Sequence, residues 1–151
     1  MNKLDEIFKI ADIHASRIEF ALNELKPIFP IDEHKVENLS TEELLLTDML
    51  VLRFAKLQDF IGRKLIDTLF AETREIIDEL TMIDKLHKLE RLGIIDSVAT
   101  WDKMRDVRNY LTHEYPENPE NPEKTADNLN SLVTLAPKLL KILQNIKDKS
   151  K

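Results

Sequence analysis

The residues best suited to chemistry lie near position 110, in the segment RDVRNYLTHEYP from Arg105 to Pro116. This segment places the guanidinium of Arg108, the imidazole of His113 and the phenol of Tyr115 within eight residues. An arginine is always cationic and forks onto phosphate oxygens, whereas a histidine both takes and gives protons near neutral pH. Such a set of side chains suits phosphate chemistry without a metal ion.

The segment is predicted to end a helix, because proline lacks an N–H and its ring collides with the preceding turn. At about 100° per residue, Tyr115 lies almost directly above Arg108, but His113 lies about 140° round the helix from it. Three arrangements would bring the two groups together. The arginine side chain reaches round the helix, the last turn loosens before Pro116, or a second copy of the chain supplies the partner group. The sequence leaves all three open.

Other common chemistries lack the residues they need. The chain has no cysteine, which excludes disulfides and thiolate metal sites, and its two glycines make a phosphate-cradling loop hard to build. The P-loop, dinucleotide-binding and HExxH patterns do not occur, and His113-Glu114 lacks the second histidine of a zinc protease. We expect neither a metal nor a cofactor.

The composition predicts an all-α protein with a single domain. A length of 151 residues suits one hydrophobic core, and 42% hydrophobic and 33% charged residues with few glycines favour helices over β-rich classes and over disorder. No signal-like N-terminus or long apolar run occurs, so we expect a cytoplasmic chain that does not enter the membrane. The net charge of −6 argues against broad capture of nucleic acid, so any RNA site must be a local patch.

Apolar residues at helical spacing predict a first helix that covers Leu4 to Leu25. His14 borders its buried stripe and is interpreted as a packed or rim histidine. Three further apolar residues fall off the stripe, which indicates contact with a second surface, either another helix or a second subunit: Ile10, Ile13 and Phe20.

A capping box that begins at Ser40 predicts a long second helix, from about Thr41 into the seventies. Its wide apolar arc implies burial on more than one side. Asp59 and Arg63, four residues apart, are predicted to pair on its surface. Arg53 stands inside an apolar run, where an unpaired charge is costly. It therefore either lines the site or has a snorkelling or ion-paired structural role.

A short helix is predicted from Met82 to Leu92, where Gly93 supplies a left-handed stop. The next helix, capped by Asp96 or Ser97, carries the segment around position 110.

A last helix is predicted to begin near Glu123 and to be kinked by Pro137. Residues 31–38 are predicted to form a loop, and the proline-rich residues 116–122 an extended elbow. Together the elements predict an up-down bundle of four to five helices in one domain, residues 1–151.

The string RNYLTHEY, from Arg108 to Tyr115, resembles the R-x4-H motif of HEPN-domain ribonucleases, with a polar residue directly after the arginine. Its extension to R-x4-H-x-Y resembles the HepT-like toxins. The order of helices, with a long central helix before the motif helix and a final packing helix, is similar to that family as well. The resemblance implies a homodimer whose two motifs face a shared cleft, metal-independent cleavage of RNA, and a neighbouring MNT-type nucleotidyltransferase that acts as antitoxin.

The resemblance also implies roles for individual residues. Arg108 would stabilise the charge that grows on the phosphate, His113 would act as general base or acid for 2′-hydroxyl attack, and Asn109 would help to orient them. Tyr115 would be the residue that the nucleotidyltransferase adenylylates, since an AMP group there adds bulk and negative charge that repel RNA. Two further arginines are candidates for lining the site: Arg53 and Arg105.

Two other interpretations use the same residues differently. In a purely structural role, Arg108 and Arg105 pair with Asp102 or Asp106 and with the carbonyls at the helix C-terminus. Protonated His113 then complements the negative helix end, and Tyr115 packs against the elbow. Alternatively, the chain is a non-catalytic helical docking partner of a nucleotidyltransferase, a function that the acidic net charge favours.

Overall fold

The computed structural model describes residues 3–73, 79–115 and 121–151, and in these ranges every regular element is a helix. The predicted all-α class is therefore confirmed for the described residues. We number six helices there: α1 (Lys3–Leu25), α2 (Glu33–Glu37), α3 (Thr41–Phe60, extended by a π-helical turn at Ile61–Leu65 and an α-helical end at Ile66–Glu72), α4 (Met82–Arg91), α5 (Val98–Glu114) and α6 (Pro122–Lys149).

The long helix α3 is the central element, with α1 packed against one flank and α5 against another. It begins at the predicted capping box. The Ser40 hydroxyl accepts from the backbone N–H of Glu43 at 3.1 Å, while the Glu43 carboxylate accepts from the N–H of Ser40 at 2.8 Å. Both bonds satisfy amides that the helix leaves open. The predicted run into the seventies is confirmed as far as Glu72.

One π turn interrupts α3 at Ile61–Leu65, where the hydrogen bonds close over five residues instead of four. Gly62 lies in this turn against the indole of Trp101, and a Cβ at this glycine would stand 3.6 Å from the ring. The α-helical end beyond the turn still directs Leu69 and Phe70 into the core.

The predicted starts of α4 and α5 are confirmed by their caps. Thr81 and Asp84 form a capping box before α4, and the Ser97 hydroxyl accepts from the N–H of Thr100 before α5. Gly93 follows α4 with φ of 75°, the left-handed conformation that ends a helix without a Cβ clash.

The loop predicted at residues 31–38 is wrong in part, since it contains α2. Asp32 caps this helix by accepting from the N–H of Lys35 at 2.8 Å. With five residues and one buried side chain, Val36, the helix is too short to leave a periodic pattern.

The last helix begins slightly earlier than predicted and passes through a proline. Pro122 occupies its first turn, because the N–H that proline lacks has no partner there in any case, and Asn121 caps it. Pro137 lies inside α6 without ending it. The rest of the predicted elbow, residues 116–120, lies outside the described residues, as do residues 74–78.

The amide of Asn130 on α6 binds the chain that connects α1 to α2. Its Oδ1 accepts from the N–H of Ile31 and its Nδ2 donates to the carbonyl of the same residue, both at 2.8 Å. Among the described helices, none is both long and apolar enough to cross a bilayer.

Candidate functional site

Helix α5 keeps regular α-helical hydrogen bonding to its end. The N–H of Tyr115 donates to the carbonyl of Leu111 at 3.2 Å, and Tyr115 itself turns to extended backbone. The last turn before Pro116 therefore does not loosen. Of the three arrangements that would unite Arg108 and His113, the structure does not adopt this one.

Arg108 reaches from α5 towards α3. Its Nη1 donates to Oδ1 of Asp59 at 2.5 Å, and its Nε and Nη2 donate to Oδ1 of Asn109 at 3.3 and 3.1 Å. Only 18% of the surface of the Arg108 side chain is exposed. A carboxylate and an amide thus fix the plane of the guanidinium, while one N–H on each Nη remains for another acceptor.

The predicted surface pair of Asp59 with Arg63 is wrong. Asp59 pairs with Arg108 instead, and in the described residues no ion pair joins it to Arg63. The π turn begins directly after Phe60 and carries Arg63, so the regular i, i+4 geometry on which such a pair depends is lost.

His113 is exposed on the last turn of α5, and within the described residues it forms no hydrogen bond or ion pair. Because α5 is regular there, His113 points away from the side on which Arg108 meets Asp59. The structure does not bring the two predicted catalytic groups into contact within one chain.

Tyr115 is buried, with 4% of its surface exposed. Within the described ranges its hydroxyl has no hydrogen-bond partner. The carboxylate of Asp48 on α3 is nevertheless near enough to act on it electrostatically. Burial, and then the charge of Asp48, raise the pKa of this phenol well above its usual value. Adenylylation of Tyr115 would require its ring to leave this position.

The two further arginines lie on different sides of this site. Arg105 pairs with Asp102, one turn earlier on α5, at 3.1 Å, as the structural interpretation proposes for this helix. Arg53 is half-buried, and its Nη1 lies 3.2 Å from Nδ1 of His14 on α1. Arg53 therefore faces the groove between α1 and α3, not the guanidinium of Arg108.

A cavity of about 270 Å³ opens between α1 and α3, next to Asp59. We call it the α1–α3 cavity, and its lining residues are His14, Lys56, Asp59, Phe60, Arg63 and Lys64. Burial lowers the pKa of His14, and the nearby charges of Arg53 and Lys56 lower it further. Sequence reasoning missed this cavity because its residues come from two helices. One signal was available in the sequence, because three of the lining residues are cations of α3: Lys56, Arg63 and Lys64.

An exposed apolar ridge runs along α3 towards Asp59. Leu45 and Leu52 are 65% and 50% exposed, and each step of seven residues from Leu45 to Leu52 to Asp59 returns to the same side of the helix. Ile13 and Phe20 on α1 are also about half exposed and stand seven residues apart. No described helix covers them, so the other helix suggested as their contact is not found in one chain.

Neither metal-site geometry nor a relative supplies a function. Among the described residues, no three His, Cys, Asp or Glu side chains cluster as a metal site requires. No family model, no curated protein and no solved structure matches the chain.

Proposed function

We propose that this protein is a HepT-like toxin, a metal-independent endoribonuclease in which Arg108 and His113 act on one phosphodiester. The observation that supports it best is the placement of Arg108. Asp59 and Asn109 orient the guanidinium next to the α1–α3 cavity, which Asp59 also lines, with N–H donors left for a phosphate oxygen. Donors fixed before the substrate arrives stabilise the charge that develops on phosphate without reorganising.

The proposed enzyme works as a homodimer. Within one chain His113 and Arg108 face different directions, so an imidazole from a second copy is the simplest partner for each guanidinium. The ridge of Leu45 and Leu52 favours this arrangement, since it runs in line to Asp59 and leaves apolar surface uncovered. A second copy seated on the ridge would lie next to Asp59, the residue that holds Arg108.

The proposed reaction is cleavage through the neighbouring hydroxyl. A neutral His113 takes the proton of the 2′-hydroxyl, whose oxygen attacks phosphorus while the bond to the 5′-oxygen breaks. Arg108 binds the non-bridging oxygens as charge grows on them. The departing 5′-oxygen takes a proton from a protonated imidazole or from water, and a 2′,3′-cyclic phosphate remains.

We further propose that an MNT-type nucleotidyltransferase neutralises the protein by adenylylating Tyr115. The phenol oxygen would attack the α-phosphorus of ATP, and pyrophosphate would leave with the proton taken up by a base. Since the hydroxyl is buried beside Asp48, the transferase has to bind and open the end of α5 first. The added AMP would then prevent the ring from repacking and would place negative charge near Arg108.

A second candidate is a non-catalytic docking partner of a nucleotidyltransferase. The ion pair of Arg108 with Asp59 favours it, because a guanidinium already neutralised by a carboxylate attracts phosphate less strongly.

The deciding experiment is cleavage of total RNA by the purified chain with a chelator present. We expect the wild-type chain to cleave, and His113→Ala and Arg108→Ala to lose activity by about 100-fold or more, the usual weight of a general base or a charge-stabilising donor. His87→Ala is the matched control, because His87 is an exposed histidine on α4. Cleavage that survives in both motif variants, or no cleavage by the wild-type chain, rejects the ribonuclease and leaves the docking partner.

A further inference from the structure

Three cations line the α1–α3 cavity without an ionic partner. Lys56, Arg63 and Lys64 all border it, and within the described residues none of them forms an ion pair or a hydrogen bond through its side chain. The one acidic residue in the lining, Asp59, is already paired with Arg108. The lining of the cavity thus carries more positive than negative charge on a chain of net charge −6, which favours an anion there.

An aromatic side chain, that of Phe60, lines the same cavity as these cations. The ring of Phe60 is partly exposed and meets the imidazole of His14 edge to face, with centroids 6.4 Å apart and planes at 63°. Because burial and neighbouring charge lower the pKa of His14, its ring is mostly neutral at pH 7 and adds little charge of its own. Cations next to an aromatic face are the combination that binds single-stranded nucleic acid, since every base has a face to stack.

The π turn of α3 carries two of the three cations. Arg63 and Lys64 lie within Ile61–Leu65, while Lys56 lies about two turns earlier on the same helix. A π turn has poorer hydrogen bonding than an α-helix and occurs frequently at functional sites. Here it changes the direction of both side chains relative to Asp59, which leaves them unpaired at the cavity.

We infer that the α1–α3 cavity binds the nucleotide of single-stranded RNA that neighbours the scissile phosphate. Lys56, Arg63 and Lys64 bind phosphate, and the base stacks on the ring of Phe60. The inference rests on the proposed ribonuclease in one respect, the position of the cleaved bond at Arg108. Asp59 connects the cavity to the proposed cleavage site, because it lines the cavity and also binds Arg108.

The test is binding of a fluorescent, non-cleavable 2′-O-methyl oligonucleotide, followed by anisotropy over a range of salt concentrations. We expect Arg63→Gln and Lys56→Gln each to weaken binding several-fold and to reduce the slope of log affinity against log salt by about 0.7 per cation removed. Phe60→Leu keeps an apolar side chain of similar size and should weaken binding by about tenfold with an unchanged salt slope. Lys103→Gln, a lysine of α5 in a different cavity, is the control and should bind as the wild type does.

Three results would overturn the inference. The first is wild-type affinity in all the cavity variants, with thermal unfolding showing that they are folded. The second is equal affinity for AMP alone, which assigns the cavity to a free nucleotide. The third is equal competition by a polyglutamate peptide, which assigns it to an acidic protein. Because the oligonucleotide is not cleaved, its binding is measured independently of nuclease activity. If the chain has no nuclease activity but its binding still depends on the cavity residues, the proposed reaction is rejected and the cavity remains a binding site for RNA.

Discussion

Arg108 on α5 and Asp59 on α3 form an ion pair between residues 49 positions apart in the chain. The carboxylate orients the guanidinium and also screens its charge. Substituting Asp59 separates these two effects, because an amide keeps the shape and one hydrogen-bond acceptor but removes the charge.

We therefore expect Asp59→Asn to bind single-stranded RNA several-fold more tightly than the wild type at low ionic strength, since one negative charge leaves the site. The cost in unfolding free energy should stay below about 1 kcal/mol, because the carboxylate is half exposed. Anisotropy and urea unfolding measure the two quantities. Asp12→Asn removes a carboxylate paired with Lys147 elsewhere and is the control. Weaker binding by Asp59→Asn alone would show that orientation outweighs charge.

Leu52→Glu should convert the proposed dimer into a monomer. A charge placed at the centre of a buried apolar contact is costly, so we expect dimer affinity to fall by about 100-fold or more. Size-exclusion chromatography with light scattering measures the mass. Ile83→Glu also adds a charge at a half-exposed apolar residue, but on α4, away from the ridge, and should leave the mass unchanged. A wild-type chain that is monomeric at micromolar concentrations contradicts the dimer.

The two glycines should respond to alanine in opposite ways. Gly62→Ala is expected to raise the unfolding free energy by about 0.5–1 kcal/mol, because helical glycine has high backbone entropy to lose and the new Cβ meets ordinary contacts. Gly93→Ala is expected to lower it by about 1–2 kcal/mol, since its φ is 75°. Urea unfolding of both variants tests the pair. A clear loss in Gly62→Ala would mean that the π turn itself requires glycine.

The stability of the protein should fall in mild acid through His14. Its pKa is lowered in the folded chain, so below about pH 6.5 the unfolded chain binds a proton that the folded chain does not. The unfolding free energy therefore decreases as the pH falls from about 6.5 towards the pKa of His14 in the folded chain. Above about pH 6.5 the neutral His14 contributes its full share to the stability. His14→Gln should flatten the slope between pH 7.5 and 5, whereas His34→Gln, on the exposed surface of α2, should not. Equal slopes in all three proteins contradict the assignment.

Tyr115 should ionise only above the usual pH of a phenol, about 10. Burial and the charge of Asp48 both disfavour its phenolate. In Tyr110→Phe, Tyr115 is the one tyrosine that remains, so its ionisation follows directly from ultraviolet absorbance. The transition should move towards the usual value in Asp48→Asn and fully reach it in urea. A native transition near the usual pKa would show that the phenol is open to solvent.

The elements of the fold were largely predictable because their signals are local. Ser40, Thr81 and Ser97 each precede a helix they cap, and Gly93 follows one, as their residue types and spacing indicate. The short helix α2 escaped prediction, since one buried residue does not make a pattern. Pro122 was assigned to an elbow although proline is favoured in a first helical turn.

The candidate site was predictable only along one helix. The position of His113 away from Arg108 follows from helical angles, but the partner of Arg108 does not, because Asp59 approaches from a helix far away in sequence. The burial of Tyr115 beside Asp48 and the contact of Arg53 with His14 also depend on how helices pack. Such contacts join distant segments and leave no periodic trace in the chain.

The wide turn at Ile61–Leu65 behaves as a single-residue insertion that α3 has absorbed. If the same residues instead formed an unbroken α-helix, the surplus residue would rotate everything downstream by about 100°. Leu69 and Phe70, both at most 1% exposed, would then swing away from the interior. The wide turn therefore keeps the end of α3, Ile66–Glu72, facing the core although the helix contains one surplus residue.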